Sequence, residues 1–139
     1  MVGTNAFDLR ALYDAVVGAV EAASDADTPL VVVDVYLFGS VARGDASPPE
    51  SDVDLLIVVD RDSAPALAPE VDRQLRRIAD DVEYRAPSIL SHATSEPFDS
   101  IDAVLTIPRN VDQRISEKTT DRGGGNTSPV LRLPEGDRV

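Results

Sequence analysis

The chain has 139 residues, 42% of them hydrophobic and 27% charged, and carries a formal net charge of −12 at pH 7. That length supports one compact domain with a sizeable core, while the absence of cysteine excludes disulfides and thiolate zinc sites, and a single histidine, His92, excludes an imidazole-based metal cluster. One lysine, Lys118, against 25 acidic residues argues against a nucleic-acid partner.

From Asn5, read as a helix cap, Phe7, Leu12, Val16 and Val20 recur with Ala11, Ala15 and Ala19 at helical spacing, so a first amphipathic helix is expected to end near Ala23. Residues 24–29 read as a loop. Residues 30–38, rich in valine and stopped by Gly39, read as a largely buried strand in which Asp34 is the one polar intrusion and Tyr36 and Phe38 belong to the core. Ser40 falls where a short helix would begin, and residues 44–51, with Pro48 and Pro49, read as an irregular loop. Residues 53–59 are continuously apolar after Asp54, as in a central strand covered on both faces. Pro69 suits the start of a second main helix, for which Val71, Leu75, Ile78 and Val82 give the apolar spacing to about Asp80. Arg73, Arg76 and Arg77 read as its solvated face, with a small basic patch as the alternative.

Residues 82–86 read as a third strand, residues 103–107 as a short strand or extended segment and residues 110–116 as a final helical turn. His92 is expected in a loop, exposed to solvent. Residues 118–139, with Gly123, Gly124 and Gly125 among scattered prolines and charges, have the composition of a flexible tail, so the domain is expected to span residues 1–117. No apolar run is long enough to cross a bilayer, and residues 1–12 lack the basic start and apolar core of a secretory signal. A soluble, cytoplasmic protein is therefore expected.

The chemistry concentrates in two neighbouring segments, Leu37-Phe38-Gly39-Ser40-Val41-Ala42-Arg43-Gly44 and Ser51-Asp52-Val53-Asp54-Leu55. A glycine at the end of an apolar strand permits a tight turn and close approach of backbone to a ligand. The exposed N–H groups of a helix start then favour phosphate oxygens. Asp52 and Asp54, two apart on a strand, project from the same face, so their oxygens can converge on one hard cation. Any metal must rest on oxygen donors, which favours magnesium.

Gly39-Ser40, eleven intervening residues and then Asp52-Val53-Asp54-Leu55 resemble the signature of the nucleotidyltransferase superfamily that includes DNA polymerase beta. Within it the chain resembles the minimal nucleotidyltransferases, short single-domain proteins often encoded beside a HEPN-type toxin. The resemblance spans residues 31–86. It implies an α+β fold, a mixed sheet flanked by helices, in which three carboxylates hold two magnesium ions and AMP is transferred from ATP. Asp52 and Asp54 match the first two metal ligands. The third is expected on the strand after the second helix, where Glu83 fits between Val82 and Tyr84, with Asp81, Asp99 and Asp102 as rivals. Gly39 and Ser40 would hold the β and γ phosphates, and Arg43, a turn further on, would reach a phosphate with its forked donors.

Plainer readings compete at each position. Gly39 serves equally as a turn glycine, Ser40 as a helix cap and Arg43 as half of a surface ion pair. Two acids entering a strand as apolar as residues 55–59, however, need a partner or a metal. Three functions follow: an antitoxin that adenylylates a HEPN-type toxin, an aminoglycoside-like small-molecule nucleotidyltransferase completed by a homo- or hetero-oligomer, and a non-catalytic module that only binds a toxin.

Overall fold

Asp8 caps the first helix, α1 (Leu9–Ala23). Its carboxylate accepts a hydrogen bond from the Ala11 N–H at 3.0 Å, satisfying one of the donors that a helix start leaves open. Asn5, the expected cap, lies instead in a short 3-10 turn, Thr4–Ala6. Leu12, Val16, Ala19 and Val20 form the buried stripe of α1. The computed structural model describes residues 1–24, 30–61, 68–119 and 129–139. Most of the expected loop 24–29 lies outside the described residues.

β1 (Leu30–Phe38) runs into α2 (Gly39–Arg43), and β2 (Val53–Arg61) is followed by α3 (Ala68–Tyr84) and α4 (Ala86–Ala93). β3 (Ile101–Thr106), α5 (Val111–Thr119), β4 (Leu131–Leu133) and β5 (Asp137–Arg138) complete the order. The five strands form one mixed sheet, β3-β2-β1-β4-β5. β1 is antiparallel to both β2 and β4, whereas β2 and β3 run parallel.

Alternation along the strands divides the core between the two faces of the sheet. Val35, Leu37, Leu55 and Ile57 pack with the apolar sides of α1, α3 and α4, while Tyr36, Phe38, Leu56 and Val58 pack with Val104, Val130 and two residues of α5, Val111 and Ile115. The second half of β1 and the body of β2 are therefore covered on both sides, as their uninterrupted apolar sequence predicts. The first half of β1 is more open, with Val31 and Val33 exposed.

Three expectations are corrected. Residues 82–86 form no strand: α3 continues to Tyr84, and α4 starts at Ala86 with Pro87 in its first turn. A strand would place Val82 and Tyr84 on one face, yet Val82 is fully buried and Tyr84 is 87% exposed. The helical spacing of Leu75, Ile78 and Val82 instead runs on through Ala86, Ile89, Leu90 and Ala93, all of them buried. His92 consequently lies in the last turn of α4, where its Nδ1 sits 2.7 Å from the Ser88 carbonyl, rather than in a loop. The segment 118–139 is not a tail throughout. Lys118 belongs to α5, residues 120–128 lie outside the described residues, and β4 and β5 join the sheet.

β4 is held by both of its faces. Leu133 pairs with Val35 and is buried on the helix side, and Arg132 places Nη2 2.8 Å from Oδ1 of Asp34 on β1. The polar intrusion in β1 is thus the anchor for a strand 98 residues away. Tyr36 adds a hydrogen bond to the same carboxylate, and burial followed by the Asp34 charge pushes its hydroxyl pKa up.

Candidate active site

Phe38 and Asp54 face each other across the β1–β2 ladder, so the end of one strand and the start of the other meet at a single place. Gly39 follows in the left-handed region, with φ of 78°. A Cβ there would lie 2.9 Å from Asp54 Cγ and overlap Oδ2. Only glycine therefore combines this turn with an Asp54 carboxylate lying against it. Ser40 and Arg43 lie on the five-residue α2, which Gly44 ends at φ of 84°. Arg43 Nε is 3.3 Å from Asp45 Oδ2, an exposed ion pair of the kind anticipated as its plainer role.

Asp52 stands just before β2. The Val53 N–H donates to the Ser100 carbonyl at 3.0 Å, and the Ser100 hydroxyl donates to Asp52 Oδ1. These bonds pin the start of β2 to the start of β3. The parallel register then sets Asp102 directly beside Asp54, on the side of the sheet occupied by Phe38, Leu56 and Val104. Glu83 is elsewhere. It lies on α3, and its Oε2 accepts a hydrogen bond from the Ala103 N–H at 2.9 Å, on the side of β3 away from β2. Its carboxylate satisfies an edge-strand donor instead of meeting Asp54.

The Asp54 carboxyl is pushed up to about 6. Burial is the largest cause; the Asp102 charge follows, opposed by the Lys118 ammonium, with Asp52 adding to the rise and Arg43 to the fall. A half-buried carboxylate between two like charges is stabilised by a cation, and its neighbours offer only hard oxygen donors, as magnesium requires. Among the described residues no three carboxylates close to metal-ligating distance, and Asp52 Oδ1 accepts the Ser100 hydroxyl. The donor chemistry fits a divalent cation, with Asp52 released from that hydroxyl or shared with it.

The family model described as Nucleotidyltransferase domain matches residues 19–120, the span that contains the Gly39-Ser40 turn, Asp52, Asp54 and Asp102. The chain belongs to the nucleotidyltransferase family. Its mixed five-stranded sheet flanked by helices is the polymerase beta-like nucleotidyltransferase fold, and its general activity is nucleotidyl transfer, for which the family uses a nucleoside triphosphate and a divalent metal. No curated protein and no solved structure matches this nucleotidyltransferase significantly. Among its described residues no helix is long and apolar enough to cross a membrane.

At this junction the structure brings in Asp102, which the sequence offers only as a rival to Glu83, and Lys118, which the sequence does not mark as a site residue. Asp102 has a local signal: Ile101-Asp102-Ala103 repeats the pattern of Val53-Asp54-Leu55, an acid entering an apolar strand. Lys118 has none, since only the packing of α5 brings it over the sheet.

Proposed function

We propose that this nucleotidyltransferase transfers AMP from ATP to a hydroxyl of a HEPN-type toxin and so acts as its antitoxin, with Asp52, Asp54 and Asp102 as the carboxylate triad. The observation that carries the triad is the register of β2 and β3, which sets Asp54 beside Asp102 while Glu83 is engaged with the Ala103 N–H. The protein role rests on the resemblance to the minimal nucleotidyltransferases carried by Gly39-Ser40 and Asp52-Val53-Asp54-Leu55.

Two magnesium ions held by the triad would supply Lewis-acid stabilisation of the triphosphate and of the acceptor oxygen. The protein's own part is positioning. Gly39, lacking a Cβ, lets the Asp54 carboxylate lie against the turn, so that phosphates bound by the backbone N–H groups of the turn would meet that carboxylate. Ser40 offers a hydroxyl there, and Arg43 is free to exchange its exposed aspartate for a phosphate. The acceptor hydroxyl then gives up its proton to solvent, its oxygen bonds to the α-phosphorus as the bond to the bridging β-phosphate oxygen breaks, and pyrophosphate leaves.

The test is transfer of label from α-labelled ATP, with magnesium, to a HEPN-type toxin as the acceptor. Asp52→Ala combined with Asp54→Ala, and Asp102→Asn alone, should each lower labelling at least about 100-fold. Glu83→Gln keeps an acceptor for the Ala103 N–H and should stay within about twofold of wild type. Label on an aminoglycoside but on no protein would favour the small-molecule reading. A double variant that labels nothing yet still neutralises the toxin would make the chain a binding module.

A further inference from the structure

Lys118 is the chain's one lysine, and it stands in the last turn of α5. Val111, Ile115 and Lys118 are spaced four and three residues apart, so they share one side of the helix. The first two pack on the sheet face formed by Tyr36, Phe38, Leu56 and Val58. The third extends along that face to its end, where Nζ lies 4.9 Å from the centroid of the Phe38 ring. Phe38 is the residue before Gly39 and the ladder partner of Asp54, so the ammonium hangs over the junction of turn and carboxylates. Asp54 feels its charge more strongly than that of Arg43. Even so, among the described residues Lys118 forms no hydrogen bond or ion pair, and its aromatic contact leaves the N–H donors unspent.

We propose that Lys118 is a triphosphate-binding residue of this site, its ammonium held over Phe38 to meet the β and γ phosphates of the nucleotide. The inference rests on the nucleotidyl-transfer reading above. A counter-charge for Asp54 alone would gain most by closing onto the carboxylate, whereas this ammonium stays on the ring beside it. A cation bound among the aspartates would neutralise them and leave Lys118 with the anionic triphosphate as its partner. A compact ammonium on a flexible stem, seated on an aromatic face, suits a group whose negative charge is spread over several oxygens.

The distinguishing measurement is binding in the presence of magnesium, by calorimetry, of AMP and of the α,β-methylene analogue of ATP, which undergoes no transfer. Lys118→Ala should weaken the analogue about tenfold, equivalent to about 1.4 kcal/mol, and leave AMP within about twofold; Lys118→Arg should recover most of the loss. Acetylation of the single ε-amine, read by mass spectrometry apart from the N-terminal amine, should be slowed by the analogue and not by AMP. Equal weakening of both ligands, or no protection of the amine, would overturn the proposal. So would a Lys118→Ala variant that binds both ligands as before and magnesium more tightly, the behaviour of a counter-charge. Failure of the wild type to bind the analogue would instead remove the nucleotidyl-transfer reading, and this inference with it.

Discussion

Asp54 sits against the backbone of Gly39 where the apolar interior of β2 gives way to solvent, and burial followed by the charge of Asp102 beside it disfavours its ionised form. A carboxyl whose folded-state pKa is raised from 3.8 to about 6 binds its proton more tightly when folded than when unfolded. The resulting stabilisation is complete below pH 4 and is lost as the pH rises through about 6. Solvent reaches part of the group, so the loss is on the order of 1–2 kcal/mol. In metal-free protein, denaturant titrations should therefore give Asp54→Asn a stability advantage of that size over wild type at pH 7.5, shrinking toward zero near pH 4. An advantage that does not change with pH would show that the amide acts through packing and not through charge.

At the scale of elements, β4 separates what local sequence encodes from what only the whole sheet determines. Leu133 is 2% exposed and packs into the helix-side core, Val130 is buried on the opposite face, and the Val139 N–H donates to the Val130 carbonyl at 2.9 Å. Leu133→Ala should accordingly cost about 2–5 kcal/mol in thermal or denaturant unfolding, whereas a residue in a flexible tail would cost nothing. Three residues after a glycine-rich stretch are too few to display a period of two, and the partner that orders them lies almost a hundred positions earlier. Strand β1 was legible to its ends, since nine apolar-rich residues stop at a glycine. The Gly39-Ser40 turn, Asp52 and Asp54 were legible because their chemistry is local. Residues 82–86 misled for the opposite reason: Val82, Tyr84 and Ala86 alternate like a strand over five positions, and only the run from Val71 to Ala93 reveals the helical period that overrides it. Glu83 would reach the site only on such a strand; on α3 it does not, and the strand that does flank β2 carries Asp102.

For the whole molecule, the net charge of −12 and the carboxylates of the site should respond differently to salt, and that difference isolates the site. Repulsion spread over the surface is screened by any ions, with a Debye length of about 10 Å at 0.1 M falling to about 3 Å at 1 M. Raising sodium chloride at pH 7.5 should thus increase the melting temperature smoothly and by the same amount in wild type and in Asp54→Asn. A divalent cation at equal ionic strength supplies the same screening and, if it is bound by the folded site alone, an additional stabilisation that reaches about 2.7 kcal/mol at a hundred times its dissociation constant. Magnesium chloride should therefore add a saturating gain of several degrees in wild type beyond the matched sodium series, and little of it in Asp54→Asn. If both proteins gain equally from magnesium, the cation is acting on the general surface charge, and the cluster of Asp52, Asp54 and Asp102 holds no metal.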